Sequence, residues 1–436
     1  MRNGVALAVL HGFPVRVFNI RANRRKPGLQ AQHLTGLELV ASLCGGRLEG
    51  GSLQSSEITL TPGRIAAGHY SADTRTAGST TLLLQAALPC LLFADGESSL
   101  TLRGGTNADL APQIDYVTEV FRPMAMRLCG IAFDVNVQRR GYYPTGLGSV
   151  HVRVEPCERI TPFSLIDRGM PIAVHVRIIV GNLPKSLGQQ MKRGAEAVLR
   201  APGSPVELVP MKFETIDDRE CAGHGSSIMY ASECLVTLCD WMTLCMTLCM
   251  TLCMTLCMTL VLCCFFMLIY VHLCFFMLIY VHLCIFNLIF PHFPSFSHSF
   301  PSFSFIFLHF PYPFLTLFLT LLSISTETST GCIIAGSAVG LRGRLPSDVG
   351  AAAALDLLAN LAHGGCVDEH LQDQLILFMA LANGMSQLVC GPVSMHTQTA
   401  IYFAQRLTGA VFEVKRVDET RNLITCNGVG YVRGHE

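Results

Sequence analysis

The chain has 436 residues, with 31 Lys and Arg balancing 31 Asp and Glu, so its formal charge is zero. Such a balance gives no global basic field, and any site for a polyanion has to be local. Nine of the 19 cysteines fall between Cys239 and Cys284, and the other ten are scattered with no C-x-x-C pair, which argues against a disulfide framework or a zinc site and suits a reducing compartment.

Residues 1–14 are apolar with one early cation, Arg2, and the apolar run is too short for a cleavable signal peptide. Val15, Val17 and Phe18 predict a strand. Arg21, Arg24, Arg25 and Lys26 then crowd into a Pro/Gly-punctuated turn. Arginines so placed can grip phosphate in bidentate fashion, although a solvated basic turn is the commoner outcome for a charge cluster. Residues 34–44 predict a helix with Leu34, Leu37 and Ala41 on one face, and residues 58–62 a short strand. Gly78 and Ser79 open a buried helix that Pro89 ends or bends. Gln85 is the polar residue inside that apolar run, where its plainest use is to satisfy a neighbouring backbone group.

Further on, residues 186–200 predict an amphipathic helix through Leu187, Met191, Ala195 and Val198, and residues 226–233 and 332–340 predict strands. Ser347 is placed to cap a helix carrying Ala351, Leu355, Leu358 and Leu361, closed by Gly364 and Gly365. Residues 368–380 predict a helix with Leu371, Leu375 and Phe378 as its apolar face and Asp373 and Gln374 near its start. His396 opens a last helix in which Ala400, Ala404 and Leu407 recur at helical spacing; Gly409 stops it, and residues 410–414 alternate like a strand. A histidine at a helix start is usually a cap or a surface residue. It also lies beside free N–H groups and the positive dipole end, where phosphate oxygens can dock.

Residues 241–326 contain no Asp, Glu, Lys or Arg; they run through tandem MTLC, then CFFMLIYVHL twice, then Phe/Ser/Pro/Leu text. Uncharged apolar length above about 18 residues reads formally as transmembrane, yet no Lys or Arg flanks orient a span. The second reading fits the repeats better. Exact short tandem repeats followed by residues with pyrimidine-rich codons suggest a translated intron that splits one strand, between Glu233 and Glu327.

The stretches VRVFNIRANRRKPGLQAQHL, RGGTNADLAPQIDY, RGYYPTGLGSV, VDEHLQDQL and GPVSMHTQTAI occur in that order. Together they resemble the motifs of the RNA 3'-terminal phosphate cyclases. The resemblance covers nearly everything outside residues 241–326. It implies an α+β fold: a core of repeated βαβαββ-like units with a smaller α+β domain inserted. The implied boundaries are residues 1–168 for the first part of the core, 169–233 and 327–343 for the inserted domain, 234–326 for the tract, and 344–436 for the last part of the core. It implies that His396 carries AMP covalently. Gln85, Pro112, His370, Asp373 and Gln374 would hold the adenylate, and Arg2, Arg21, Arg24 and Gln32 would face the substrate phosphate. ATP and a divalent metal, Mg or Mn, would be the cofactors, an RNA with a 3'-terminal phosphate the partner, DNA no partner, and the nucleus the main compartment with the cytoplasm second. A membrane partner follows only from the tract. The chain departs from the family at His370, where the family has Tyr, at Thr145 for Lys and at Leu147 for Gly. It also lacks the acidic, glycine-rich loop that precedes Arg2 in the family, which on this resemblance lowers activity. Two rivals remain: a non-catalytic relative in ribosomal-RNA processing, against which the HTQTA text at His396 argues, and an inactive mis-spliced product.

Overall fold

The computed structural model describes residues 1–108, 110–223, 225–235, 330–340 and 343–433. Both readings of residues 241–326 therefore concern residues outside the described ones. Met1–Leu235 and Thr330–Glu436 form one compact unit.

The chain starts with α1 (Arg2–Leu10), β1 (Val15–Val17), α2 (Ala31–Leu43), β2 (Arg47–Glu49) and β3 (Ile58–Thr61). The three strands form an antiparallel sheet in the order β1-β3-β2. Every residue of α1 from Gly4 to Leu10 is buried, because α2, α3 and α8 (below) pack around it. Each large apolar side chain so enclosed contributes roughly 1.5–3 kcal/mol of transfer free energy.

A complete βαβαββ unit follows: β4 (His69–Asp73), α3 (Thr80–Leu91), β5 (Ser98–Gly104), a helical stretch ending in α4 (Arg122–Cys129), β6 (Ala132–Arg139) and β7 (Gly148–Glu155). Its sheet runs β4-β5-β7-β6, with β4 parallel to β5 and the rest antiparallel. Leu100, Leu102, Val150, Val152 and Val154 alternate onto the core face, as the period of two requires. Pro89 does not end α3; the helix runs on to Leu91. Leu147 sits at φ 56° and is 56% exposed, a left-handed backbone that a glycine adopts without penalty.

The same plan returns at the end of the chain. β8 (Ser164–Leu165) lies parallel to β13 (Met385–Cys390), which pairs with β15 (Asn422–Asn427), which pairs with β14 (Val411–Arg416). Between β8 and β13 the chain makes β9 (Met170–Gly181), α5 (Lys185–Leu199), β10 (Met211–Asp218), β11 (Gly225–Leu235) and β12 (Cys332–Val339), a separate sheet ordered β10-β9-β11-β12. α6 (Pro346–Ala362) and α7 (Glu369–Leu381) lead back to β13, and α8 (Met395–Thr408) connects β13 to β14. The two four-stranded sheets of the core thus share one order, first-second-fourth-third, and the α+β class with repeated βαβαββ units is what the structure has.

α5 and α6 cross with their backbones close. A Cβ added at Gly194 would strike the Ser347 carbonyl, and one at Gly350 the Met191 carbonyl. The expected cap of α6 needs correcting. Ser347 lies inside the helix, Leu345 occupies the cap position without a side-chain hydrogen bond, and Pro346, which lacks an N–H to satisfy, starts the helix. Its buried face carries Val349, Ala353, Leu357 and Leu361, while Leu355 is 57% exposed, so the expected apolar stripe was rotated.

Candidate active site

Four helices converge on one cavity system. α1 packs on α3 and α8, and α7 packs on α8. One cavity of about 430 Å³ and a second of about 620 Å³ are both lined by Arg2 of α1, Gln85 of α3, Asp373 of α7 and His396 of α8. These four therefore mark where the cavities meet. The volumes lie in the range of small-molecule sites, about 300–1,000 Å³.

His396 is the second residue of α8. Ser394 caps the helix, its Oγ accepting from Thr397 N at 3.2 Å, and Gly409 in left-handed backbone closes it. An imidazole at that position is exposed and stands beside unpaired helical N–H groups and the positive end of the helix dipole. α7 starts at a buried cap. Asp368, 1% exposed, accepts from Leu371 N at 2.9 Å, His370 N at 3.1 Å, Ala335 N at 3.1 Å and Tyr116 Oη at 2.6 Å. The cap thus ties α7 to β12 and to the helical stretch before α4. It also orients His370, whose ring stands edge-on to Tyr116 at 5.6 Å between centroids.

Two buried polar atoms in this region have no partner among the described residues, Arg2 Nε and Gln374 Oε1. Gln374 spends its Nε2 on the His370 carbonyl at 2.8 Å, and the Gln85 side chain makes no hydrogen bond to a described residue. Burial holds the Arg2 guanidinium below its usual value, while Asp373 pulls it back up. Burial likewise raises the Asp373 carboxyl, offset by the charges of Arg2, His370 and His396. His33, on the wall of the smaller cavity, is pushed down to about 4 by burial and then by Arg21 and Arg2; its Nδ1 accepts from Gln30 N. The site is thus rich in cationic and N–H donors, which suits an anionic ligand.

The sequence-predicted residues divide into four groups. Arg2, Gln85, Asp373 and His396 line both cavities; Arg21 and Gln374 line the smaller one; Arg24, Pro112 and His370 line the larger. Arg21 also braces its own turn, with Nη1 donating to the Lys26 carbonyl at 2.5 Å and the Gly28 carbonyl at 3.3 Å. Pro112 is presented by a loop that Asp115 holds, through Arg140 at 2.7 and 2.8 Å and Asn107 at 3.0 Å. Gln32 stands apart from the two main cavities. Its Oε1 accepts from Ser79 N at 3.1 Å at the entry to α3, and it lines a small void of about 30 Å³ with Arg2. Asp368, Glu369, Gln372 and Arg344 went unremarked in the sequence. Only Asp368 carries a legible signal, an Asp immediately before an apolar helix. Among the described residues no group of three or more His, Cys, Asp and Glu side chains is arranged to hold a metal.

Fold and cavity define the class, an α+β protein with a cation-bearing pocket at a helix N-terminus. The comparisons supply the family. The family model of RNA 3'-terminal phosphate cyclase matches residues 1–414. The probable RNA 3'-terminal phosphate cyclase of Dictyostelium discoideum is 30% identical over 444 aligned residues, covering 99% of this chain and 80% of that protein. The RNA 3'-terminal phosphate cyclase of Drosophila melanogaster is 29% identical and covers 99% of this chain and 93% of its own. That of Hyperthermus butylicus is 40% identical over 232 residues, 52% of this chain and 64% of that one. The chain belongs to the RNA 3'-terminal phosphate cyclase family, and it is an enzyme of that type.

Proposed function

We propose that this chain converts an RNA 3'-terminal phosphate to a 2',3'-cyclic phosphate at the expense of ATP, through an AMP group carried on His396. One observation carries the reading: His396, at the N-terminus of α8, opens onto a cavity system shared with Arg2, Gln85 and Asp373. Its volume and the buried Arg2 Nε and Gln374 Oε1, which have no partner among the described residues, fit a polar nucleotide.

In the first step an imidazole nitrogen of His396 attacks the α-phosphorus of ATP. The bond from that phosphorus to the bridging oxygen breaks, pyrophosphate leaves, and the displaced imidazole proton passes to solvent. In the second, an oxygen of the RNA 3'-phosphate attacks the same phosphorus, the P–N bond breaks, and the His396 imidazole takes back a proton from solvent and is restored. In the third, the adjacent 2'-hydroxyl attacks the RNA 3'-phosphorus, loses its proton, and AMP departs. Splitting the displacement into steps replaces one high barrier by lower ones. Arg2 at the meeting of the cavities and the α8 N-terminus offset charge gathering on the phosphoryl oxygens. On this reading Pro112 and His370, both on the larger cavity, flank the base, and Gln85, which lines both cavities, has its side-chain amide to offer it. The described residues offer no cluster of three or more His, Cys, Asp or Glu side chains to hold a resident divalent metal. A divalent ion would enter as the chelate of the triphosphate.

The test is direct. The full chain is incubated with ATP, a divalent ion and an end-labelled RNA bearing a 3'-phosphate. The expected product resists phosphatase and is reopened by acid. A DNA with the same terminus should give none, because it has no 2'-hydroxyl. An RNA end that stays phosphatase-sensitive refutes the reading.

A further inference from the structure

Next to Asp373 on α7 lies a residue with no place in the mechanism so far. Gln372 is 2% exposed, in a helix whose other inward side chains are apolar. Successive helical side chains diverge by about 100°, so Asp373 can face the cavity while Gln372 faces the protein interior. What Gln372 meets there is the turn that opens α8. Its Oε1 accepts from Ser394 N at 3.1 Å and from Thr397 Oγ1 at 2.6 Å. Its Nε2 donates to the Pro392 carbonyl at 3.3 Å. Ser394 is the cap of α8, and its Oγ is within 3.1 Å of Thr397 Oγ1 and accepts from Thr397 N. His396 lies between the two residues that Gln372 holds.

We infer that Gln372 is a positioning residue: a buried amide that fixes the 392–397 turn and so sets where the His396 imidazole stands relative to the cavity. This rests on the reading of His396 as the nucleophile. The argument is geometric. His396 is exposed, and its imidazole forms no hydrogen bond with a described residue, so its own side-chain contacts do not fix its place. Its backbone is fixed instead, from both sides, by one side chain that belongs to the helix carrying Asp373. α7 and α8 are therefore held in register at the two residues that line the site, at Asp373 through the peptide next to Gln372 and at His396 through Ser394 and Thr397. A buried amide of this kind is satisfied only in one orientation, because an oxygen and an NH2 group are not interchangeable against an N–H, an O–H and a carbonyl. Pre-positioning matters for an attacking nitrogen, where a displacement of about 1 Å can cost on the order of a hundred-fold in rate.

The experiment uses the full chain and reads single-turnover protein labelling from ATP radiolabelled at the α-phosphate, across a range of ATP concentrations. Gln372→Met keeps length and apolar volume but removes every polar contact. It should slow the limiting labelling rate roughly ten- to a hundred-fold while the half-saturating ATP concentration moves by less than about two-fold, because the cavity walls are intact. Gln372→Glu keeps oxygens facing Ser394 N–H and the Thr397 hydroxyl and should recover much of the rate. Thr397→Val removes the shortest contact from the other side. Its effect and that of Gln372→Met should fail to add in the double variant, since both delete one shared bond. Unchanged limiting rate in folded Gln372→Met overturns the proposal. So does a loss in which rate, half-saturation and melting temperature all shift together in both variants, which is the mark of a purely structural role. Should Gln372→Met not fold, Thr397→Val carries the test, and a wild-type rate there overturns it. His396→Asn is run alongside. Labelling that survives it removes the nucleophile assignment and this inference with it, whereas labelling lost with His396 and untouched by Gln372→Met removes the positioning role alone.

Discussion

Replacing Asp368 by alanine should cost far more than a helix cap alone. The carboxylate is 1% exposed and accepts four hydrogen bonds, two from the first turn of α7, one from Ala335 N at 3.1 Å and one from Tyr116 Oη at 2.6 Å. Loss of the cap costs about 1 kcal/mol. Leaving the Tyr116 hydroxyl, itself 1% exposed, and the Ala335 amide unpaired adds about 1–3 kcal/mol each. Against this, alanine relieves the desolvation that raises the carboxyl's pKa, so the lower part of the sum is expected, about 3 kcal/mol. Tyr116→Phe removes one contact and leaves the carboxylate three donors, so its cost should be about 1–2 kcal/mol. Urea unfolding with the slope checked for constancy measures both. An Asp368→Ala loss under about 1 kcal/mol, or one equal to that of Tyr116→Phe, would refute the view that this residue joins α7 to β12 and the helical stretch before α4.

Arg2→Ala should slow protein labelling by about a hundred-fold, since its buried Nε has no partner among the described residues and is left to serve the ligand. Arg24→Ala and Arg21→Ala should slow it less than about ten-fold each, because neighbouring cations still neutralise charge, and parallel labelling rates decide the order. Gly350→Ala should lower stability by about 1–3 kcal/mol in urea, since the added Cβ meets the Met191 carbonyl of a facing helix. His33 gives a pH prediction. Its folded pKa lies at about 4, below the 6.5 of the free side chain, so between those values the unfolded chain binds more protons. Stability should therefore rise with pH across that window and be lost as pH falls through it. His33→Gln should flatten that part of the profile, and curves that stay parallel would exclude the contribution.

The helices that present the site were legible from local rules, whereas the site residues themselves were implied by the resemblance. His396 and Gly409 mark the start and end of α8 in the sequence, and the structure has the helix there, with Ser394, which went unremarked in the sequence, as its cap. Asp373 lies on the separate helix α7, and its role in the site was implied only by the resemblance. Tertiary contacts were not legible. Gln32 sits beside the arginine turn in sequence, yet its side-chain amide oxygen is spent on Ser79 N at the entry to α3. Gln372 and Asp368 gain their meaning from partners distant in the chain, Thr397 and Tyr116, which no periodicity announces. The rotation error on α6 has the same origin. Leu355 fits a helical stripe as well as Leu357 does, and the decision comes from which face Gly350 presses against α5. The repeated topology was readable only through resemblance, since β8 spans two residues and its partner β13 lies beyond the whole inserted sheet.

The most direct test of the central claim is to label the chain with ATP carrying a radioactive α-phosphate, digest it, and map the label in His396→Asn, His370→Ala and the unaltered chain. The label should reside on the peptide bearing His396, be released by acid and stand up to alkali, as a P–N bond does. It should vanish in His396→Asn while the melting temperature is unchanged, and persist in His370→Ala. Label that survives the loss of His396 and disappears with His370 would contradict the assignment of the nucleophile.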